Sequence, residues 1–522
     1  MPGDGSNSSN SNGDVNEPQP HAVLEQLPGI QYCINSPPPW LEAILLGFQH
    51  YILALGSIVL IPSMLVPEMG GTDKDKAKVI QTLLFISGVN TLLHSFFGTR
   101  LPSVIGGSYA FLIPATSIIH ARKYRLMHEP EQIDTLLIRS FTPLSMVPLI
   151  TFTGLGLYHL GFPLIATCLE VGIPQLVLLI IISQFLPRFI KSKRHLCDRY
   201  ALLFAIAIVW MYAGILTWSG AFMKSKHVSC RTDSSGLIGG APWFYVPFPF
   251  QWGPPTFRAG EAFAAIVASF VASIESTGSF ISAARYGSAT PVPPSVISRG
   301  VGWLGIGTLL HALFGSITGS TATVENVGLL ALTKAGSRRV VQISSIFMIL
   351  FSILDTMKFY VTPTYLGRGS GKFGAIFASI PLPIMAGSYC IFFGYVSSVG
   401  LGFLQFCNLN SFRTKLVLGL SFFIGLSLPQ YFREHGPNSR GGPVHTPAVW
   451  FNDIMSVVFM SHATVAAAIA LLLDCTLDYG TDETRKDNGS YWWEKFVVYG
   501  KDVRSDEFYR LPGRLNRCFP SF

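Results

Sequence analysis

The chain has 522 residues, of which 49% are hydrophobic and only 13% charged, with a mean hydropathy of +0.43. A soluble globular protein carries roughly 25% charge, so this balance excludes an ordinary soluble domain and indicates a polytopic membrane protein. The net charge of +8 is no nucleic-acid footprint, because the basic residues fall mostly in short loops between apolar runs, as the positive-inside rule predicts.

Residues 1–39 hold no Lys or Arg and are rich in Ser, Asn, Gly and Pro. They are expected to form a disordered polar tail without the features of a secretory signal. The first spanning helix must then direct insertion. Apolar runs close to the ~20 residues a spanning helix needs follow at 40–61, 79–97, 104–119, 143–163, 173–190, 200–218, 261–282, 300–317, 324–333, 339–354, 380–402, 414–431 and 451–473.

Two of these runs are weak as full spans. The run at 104–119 follows Pro102, carries Gly106-Gly107-Ser108 and contains Pro114; the run at 324–333 is too short to cross alone and follows the Gly/Ser/Thr stretch Gly315 to Thr323. Both are predicted to be half-helices entered through extended backbone. One is third among the early runs. The other is third after the long Pro/Trp-rich loop 219–260 (Pro242-Trp243, Pro247, Pro249, Trp252, Pro254-Pro255). Paired interruptions of this kind point to an inverted-repeat transporter and its binding site. The loop divides a first repeat of about 40–218 from a second of about 261–473.

Basic residues collect at 188–199, 285–299, 334–339 and 413–415, which places those loops, and the polar tail 474–522, in the cytoplasm. Trp492-Trp493 is expected to rest at the membrane interface. The eight cysteines are scattered. Without metal-ligand or redox spacing most of them are read as apolar fillers, with no disulfide framework and no zinc site.

Glu325 and Asn326 then stand side by side inside hydrophobic sequence, with Lys334, Arg338 and Arg339 after them. A carboxylate at membrane depth is costly unless it faces a cavity or a partner. Glu275, within 261–282, is the second such group.

The decapeptide Glu325 to Lys334 resembles the signature of the nucleobase–ascorbate transporter family at every fixed position: an acidic, amide or Pro start, Asn-x-Gly, four free positions, Thr and a basic or Gly end. Gln49-His50, Ser108-Tyr109-Ala110 and Ser273-Ile274-Glu275-Ser276-Thr277-Gly278 agree with it. So do the strings GTRLPSVIGGSYAF, RYGSATPVPPSVISRG and FLQFCNLNSF, which are similar to plant members. The likeness runs from about Pro28 onward. It implies an all-α fold of two inverted seven-helix repeats, with a substrate-carrying core domain sliding against a gate domain that supports a homodimer. It also implies transport of purines, pyrimidines or ascorbate coupled to protons or sodium.

Two departures stand out. About 24 polar residues separate the third run from the fourth, so family helix four is expected to be missing, leaving thirteen spans for fourteen. Residues 355–370 read as an insertion in family helix eleven, bringing Asp355, Lys358, Pro363 and Arg368 toward the bilayer. A skipped exon and a retained intron would produce both. An odd span count would put the N-terminus opposite the C-terminus, unless 120–142 re-enters.

Nucleobases present adjacent N–H donors and C=O acceptors in one plane, and an ionised carboxylate accepts two parallel N–H bonds. By resemblance Glu275 contacts substrate and Glu325 lines the pocket. Asn326 offers donors and an acceptor, for orienting substrate or bracing the half-helix. Tyr109 and Ser108, in the unwound third segment, are expected to bind substrate, Tyr109 by stacking on the base or by offering backbone groups. Gln49 and His50 are expected to organise hydrogen bonds behind Glu275, Thr333 to tune selectivity, Lys334 to be an interface charge, His311 to be structural, and Gly328 to allow close helix approach.

The expected function is nucleobase uptake by proton symport at the plasma membrane. One carboxyl would take a proton outside and release it inside; sodium is the other candidate ion. No cofactor, nucleophile–base pair or metal cluster argues for an enzyme. Ascorbate or another organic anion is the alternative substrate class. A non-transporting splice variant or regulatory partner is the alternative of another kind.

Overall fold

The computed structural model describes residues 27, 29–120, 142–189, 196–222, 228–232, 246–253, 259–353, 380–435, 443–444, 446, 448–477, 487–490, 496–498, 503–513 and 515–517. Each of the thirteen apolar runs contains a helix. In chain order these are α1 (Trp40–Glu68), α2 (Asp73–Phe96), α3 (Leu112–His120), α4 (Pro143–Leu155), α5 (Leu169–Ile180, prolonged through a π turn to Phe189), α6 (Leu196–Trp218), α7 (Ala259–Tyr286), α8 (Pro294–Phe314), α9 (Val324–Thr333), α10 (Arg338–Ile353), α11 (Leu382–Gly402), α12 (Phe412–Glu434), α13 (Val449–Met460) and α14 (His462–Thr476). A short α15 (Val503–Tyr509) follows. Among the described residues nine helices are long and apolar enough to cross a membrane, and the bent pair α13–α14 makes a tenth span. The protein is an all-α polytopic membrane protein.

Local chemistry sets the helix ends. Thr72 with Asp75, and Thr142 with Ser145, form reciprocal capping boxes at the starts of α2 and α4, satisfying amides that have no partner inside the helix. Pro294 opens α8, and Gly315 at φ +68° closes it. That left-handed position, natural for glycine, turns the chain back toward the middle of the bundle. On α6 the exposed side chains Phe204, Ile208, Met211, Ile215 and Trp218 recur every three or four residues, a stripe suited to lipid contact.

Helices α1, α2, α8 and α10 pack on one another, and α4, α5, α6, α11, α12 and α14 form a second group. The groups meet where α9 lies on α11 and where α7 lies on α13 and α4. Gly328 of α9 faces Phe392 of α11 so closely that a Cβ atom there would stand 2.4 Å from Phe392 Cβ and 2.6 Å from its carbonyl oxygen.

The two half-helices are entered as expected. Strand β1 (Ile105–Gly107) precedes α3, and β2 (Ser320–Ala322) precedes α9. They pair antiparallel, Ile105 opposite Ala322 and Gly107 opposite Ser320. Ser108 N–H to Gly319 O (3.0 Å) and Thr323 N–H to Val104 O (2.9 Å) extend the ribbon at both ends. Hydroxyls from neighbouring helices satisfy its outer edges: Thr91 accepts from Ile105 N–H (2.9 Å), Ser276 from Ala322 N–H (3.1 Å), and Thr308 from Ser320 N–H (3.1 Å).

Several expectations need correction. The single span over 451–473 is broken: α13 and α14 meet at 79°, with Ser461 extended between them and its side chain capping α14. Cys168 and Cys230 are not fillers but a disulfide pair with Cα atoms 5.5 Å apart; the signal was invisible because 62 residues separate them.

The odd helix count does not set the N-terminal side. Gln31 N–H bonds Lys334 O (3.0 Å) and Ile34 N–H bonds Gly287 O (3.1 Å), which puts the N-terminal stretch on the face of the basic loops. The C-terminal segment lies on that face too. Arg299 and Arg338 donate to the carbonyls of Tyr509 (3.0 Å) and Phe508 (3.1 Å), while Leu144 N–H bonds Asn488 O (3.1 Å). Asp474, taken from the sequence as the first tail residue, is buried within α14 and pairs with Arg413 at 2.7 Å. The expected loss of family helix four, the insertion at 355–370 and Trp492-Trp493 all lie outside the described residues.

Gly328→Leu would force α9 away from α11. Overpacking of this kind costs about 1–3 kcal/mol, so the thermal unfolding midpoint of the detergent-purified protein should fall by several degrees, while Leu at Gly402, where a Cβ meets nothing within 4 Å, should leave it in place.

Candidate functional site

A cavity of about 280 Å³ lies where the ribbon, α7 and the α13–α14 bend come together. Its size is close to the lower end of the ~300–1,000 Å³ usual for small-molecule sites. Glu275 and Glu325 both line it. Glu275 projects from the middle of α7, and its Oε1 accepts a 2.7 Å hydrogen bond from Ser461. Glu325 sits in the first turn of α9, where the helix dipole favours negative charge. It is only 3% exposed, and its Oε1 is buried without a hydrogen-bond partner. Tyr109, Gly107 and Thr321 to Thr323 complete the ribbon side of the wall.

The cavity runs from the half-helix starts toward the ends of α4 and α12 that carry His159 and Arg433. Arg413 and Lys415 of the basic loop stand at the other end of α12. The cavity therefore extends away from the basic face.

The other expected site residues stand behind the wall. His50 Nδ1 lies 2.9 Å from Asn326 Oδ1, Asn326 Nδ2 donates to Thr323 Oγ1 (3.0 Å), and Thr323 Oγ1 donates to Val104 O (3.0 Å). Because Oδ1 of this Asn326 orientation can only accept, His50 carries its proton on Nδ1. Asn326 thus braces the half-helix and does not line the cavity. His50 supports Asn326 rather than Glu275. Gln49 donates to Arg199 O at 2.8 Å, a contact with α6. Ser108 is fully buried; its N–H donates to Thr318 Oγ1 (3.1 Å), its carbonyl accepts from the same hydroxyl (2.9 Å), and its Oγ accepts from Ala110 N–H. Thr333 bonds back to Leu329 O (2.8 Å) at the far end of α9, Lys334 ends that helix at φ +54°, and His311 lies 2.6 Å from Ser316 Oγ. None of these faces the cavity.

Ser461, His462, His159 and Arg433 line the cavity without having been singled out from the sequence. A faint signal existed for the first: a serine before Ala463-Thr464 can cap a new helix start. Among the described residues one group of metal-capable side chains gathers, Cys168, Glu170 and Cys230, and the disulfide takes up both of its sulfurs.

The Permease family profile matches residues 41–156 and 131–434, two pieces that overlap over 131–156, the stretch that contains α4. The chain is 53% identical to nucleobase-ascorbate transporter 4 of Arabidopsis thaliana, over 96% of this chain and 98% of that protein. It is 52% identical to nucleobase-ascorbate transporter 7 of the same plant, over 96% of each, and 48% identical to nucleobase-ascorbate transporter LPE1 of Zea mays, over 96% of this chain and 98% of that one. The alignment to transporter 4 runs over 533 positions, more than the 522 residues present here, so this chain lacks positions that the relative has.

The His50–Asn326 pair gives a thermodynamic test. His50→Ala and Asn326→Ala should each destabilise the purified protein, and the double variant should be less destabilised than the sum by about 0.5–3 kcal/mol, the range for residues in one hydrogen-bond network. Additive effects would show the two side chains to be uncoupled.

Proposed function

Because this chain belongs to the Permease family, and with its plant relatives to the nucleobase–ascorbate transporters, it is an integral membrane transporter, and we propose that it moves nucleobases through the cavity by proton symport. The observation that carries the proposal is the presence of two carboxylates, Glu275 and Glu325, on the wall of one small cavity. A purine or pyrimidine offers N–H groups in a plane, and a carboxylate with a vacant oxygen such as Glu325 Oε1 accepts them with charge-assisted strength. Tyr109 supplies an aromatic face beside them, suited to offset stacking on a flat ring.

Proton coupling uses the same groups. A carboxyl that binds a proton before substrate enters and loses it on the other side links the two fluxes. Uptake should then rise as the outside is acidified. The two helix groups supply an elevator. Sliding the group that holds the ribbon, α7 and α9 along α11 and α13 would carry Glu275 past Ser461 and expose the site to the other face.

Sidedness follows from two features. Basic loops favour the cytoplasm. The Cys168–Cys230 bridge sits at the opposite ends of α5 and α6 from the basic stretch 188–199, and disulfides persist in oxidising, non-cytosolic compartments. The cavity accordingly faces outward.

In cells expressing the protein, radiolabelled uracil, adenine or xanthine should accumulate in a saturable manner, faster at pH 5.5 than at pH 7.5. Glu275→Gln and Glu325→Gln should each cut that accumulation by about tenfold or more at equal surface abundance, the effect of losing a charge-assisted bond. Displacement of uracil by excess ascorbate would favour the organic-anion reading. Surface protein that binds none of these would mark a non-transporting form.

A further inference from the structure

On the basic face, one arginine joins the two helix groups. Arg199 stands near the start of α6, and side chains from α1 and from the stretch before it close on it. Its guanidinium pairs with Glu42 of α1, its Nε donates to Gln31 Oε1 (2.7 Å), and its Cζ lies 5.1 Å from the centre of the Tyr32 ring. Tyr32 in turn donates to the second oxygen of Glu42 (3.1 Å). Tyr200 leaves the helical conformation at φ −110° and ψ 17°, and the carbonyl just before it, Arg199 O, accepts from Gln49 of α1 (2.8 Å). None of these residues lines the cavity.

The partners of Arg199 are themselves fixed to the other group. The stretch before α1 runs beside the turn that follows α9: Gln31 N–H bonds Lys334 O (3.0 Å), Gly336 N–H bonds Tyr32 O (2.8 Å), and Ile34 N–H bonds Gly287 O (3.1 Å). It is thus tied to one end of α9, whose other end carries Glu325 into the cavity. Beside the polar cluster, Tyr200 of α6 packs with Leu46 of α1 and Val340 of α10, so the seam between the groups is also closed by apolar side chains. The side chains of Arg199 and Glu42 are only 13% and 16% exposed. A charge pair so sheltered is weakly screened by salt, and either member is left in an unfavourable setting when the other is removed. Another crossing at this face, Tyr286 Oη to Tyr395 O (2.6 Å), is a bond between neutral groups, the weaker kind.

We propose that Arg199 is a positioning residue for transport, a latch that holds the cytoplasmic side shut while the cavity reaches the opposite face. The proposal rests on the sliding of the two helix groups put forward above. The contacts on Arg199 run between groups, from α1 and its preceding stretch to α6, so they part when one group slides along the other. A contact present in only one of two states biases the equilibrium between them by its own free energy. Loss of one charge-assisted contact therefore raises the inward-open share about tenfold.

The test reads from which side of the membrane the cavity can be reached. Val457 lines it. In a background whose only cysteines are the bonded pair Cys168 and Cys230, Val457→Cys is labelled with a membrane-impermeant maleimide. The reagent meets the outer face in right-side-out vesicles and the cytoplasmic face in inverted ones. The ratio of cytoplasmic to outer labelling rate should rise about tenfold in Arg199→Gln and in Glu42→Gln. The double Gln variant should add little to either, because both remove the same pair. Arg199→Glu combined with Glu42→Arg should bring the ratio most of the way back, which a general loss of packing would not do. Arg199→Lys keeps the charge and loses the fork, so its rise should be smaller; it carries the test if Arg199→Gln fails to reach the membrane.

An unchanged ratio in the single variants overturns the latch, and so does a charge swap that leaves the ratio as high as they do. If uracil accumulates in cells while the ratio does not move, the latch fails and the transport reading stands. If the ratio moves as described and no nucleobase accumulates, the latch stands and the nucleobase reading fails.

Discussion

A chain that leaves the helical state in the middle of a bilayer exposes peptide groups that lipid cannot bond. Every other feature of this site depends on how that demand is met. Here the two non-helical segments meet each other: β1 and β2 pair along Ile105–Gly107 and Ser320–Ala322. A two-stranded ribbon still has two open edges. Thr91, Ser276 and Thr308 close them from α2, α7 and α8. With the backbone satisfied, α3 and α9 can begin at membrane depth with their N-terminal amides turned inward, a natural setting for a negative group. Glu325 occupies it.

The same logic explains the third interruption. Breaking the last span at Ser461 frees backbone groups and turns a hydroxyl loose. That hydroxyl answers two needs, accepting from Thr464 N–H and donating to Glu275. The bend thus belongs to the site as much as the half-helices do. It also joins the two helix groups, since Glu275 stands on α7 and Ser461 between α13 and α14. Gly328 is used differently. It has no chemical part, and its missing side chain lets α9 lie against Phe392.

What was legible in the sequence was whatever periodicity or cost makes loud. Thirteen apolar runs contain helices, the two weak ones are the half-helices, and both membrane-depth glutamates reach one cavity. Partners across the fold were not legible. His50 was expected behind Glu275 and bonds Asn326, because two helices that are distant in sequence decide which neighbour is in reach. Ser461 was hidden for another reason: neither glycine nor proline marks the break, and Met460 and His462 read as continuous span. Nothing in the sequence separates Thr91, Ser276 and Thr308 from ordinary helix hydroxyls, which often satisfy themselves on the preceding turn. The disulfide escaped because spacing rules see neighbours, and 62 residues lie between its cysteines.

The contacts of α15 bear on the order in which the protein can be completed during synthesis. Arg299 finds the carbonyl of Tyr509 only 210 residues later, and Arg338 finds that of Phe508 170 residues later. Until the ribosome has delivered those residues, Arg299 and Arg338 have their earlier acceptors, Gly98 O and Arg100 O, but not the second ones that the finished molecule adds. A chain halted before Val503 would be threaded through the lipid and still be chemically unfinished on the surface that the cell's quality control can inspect.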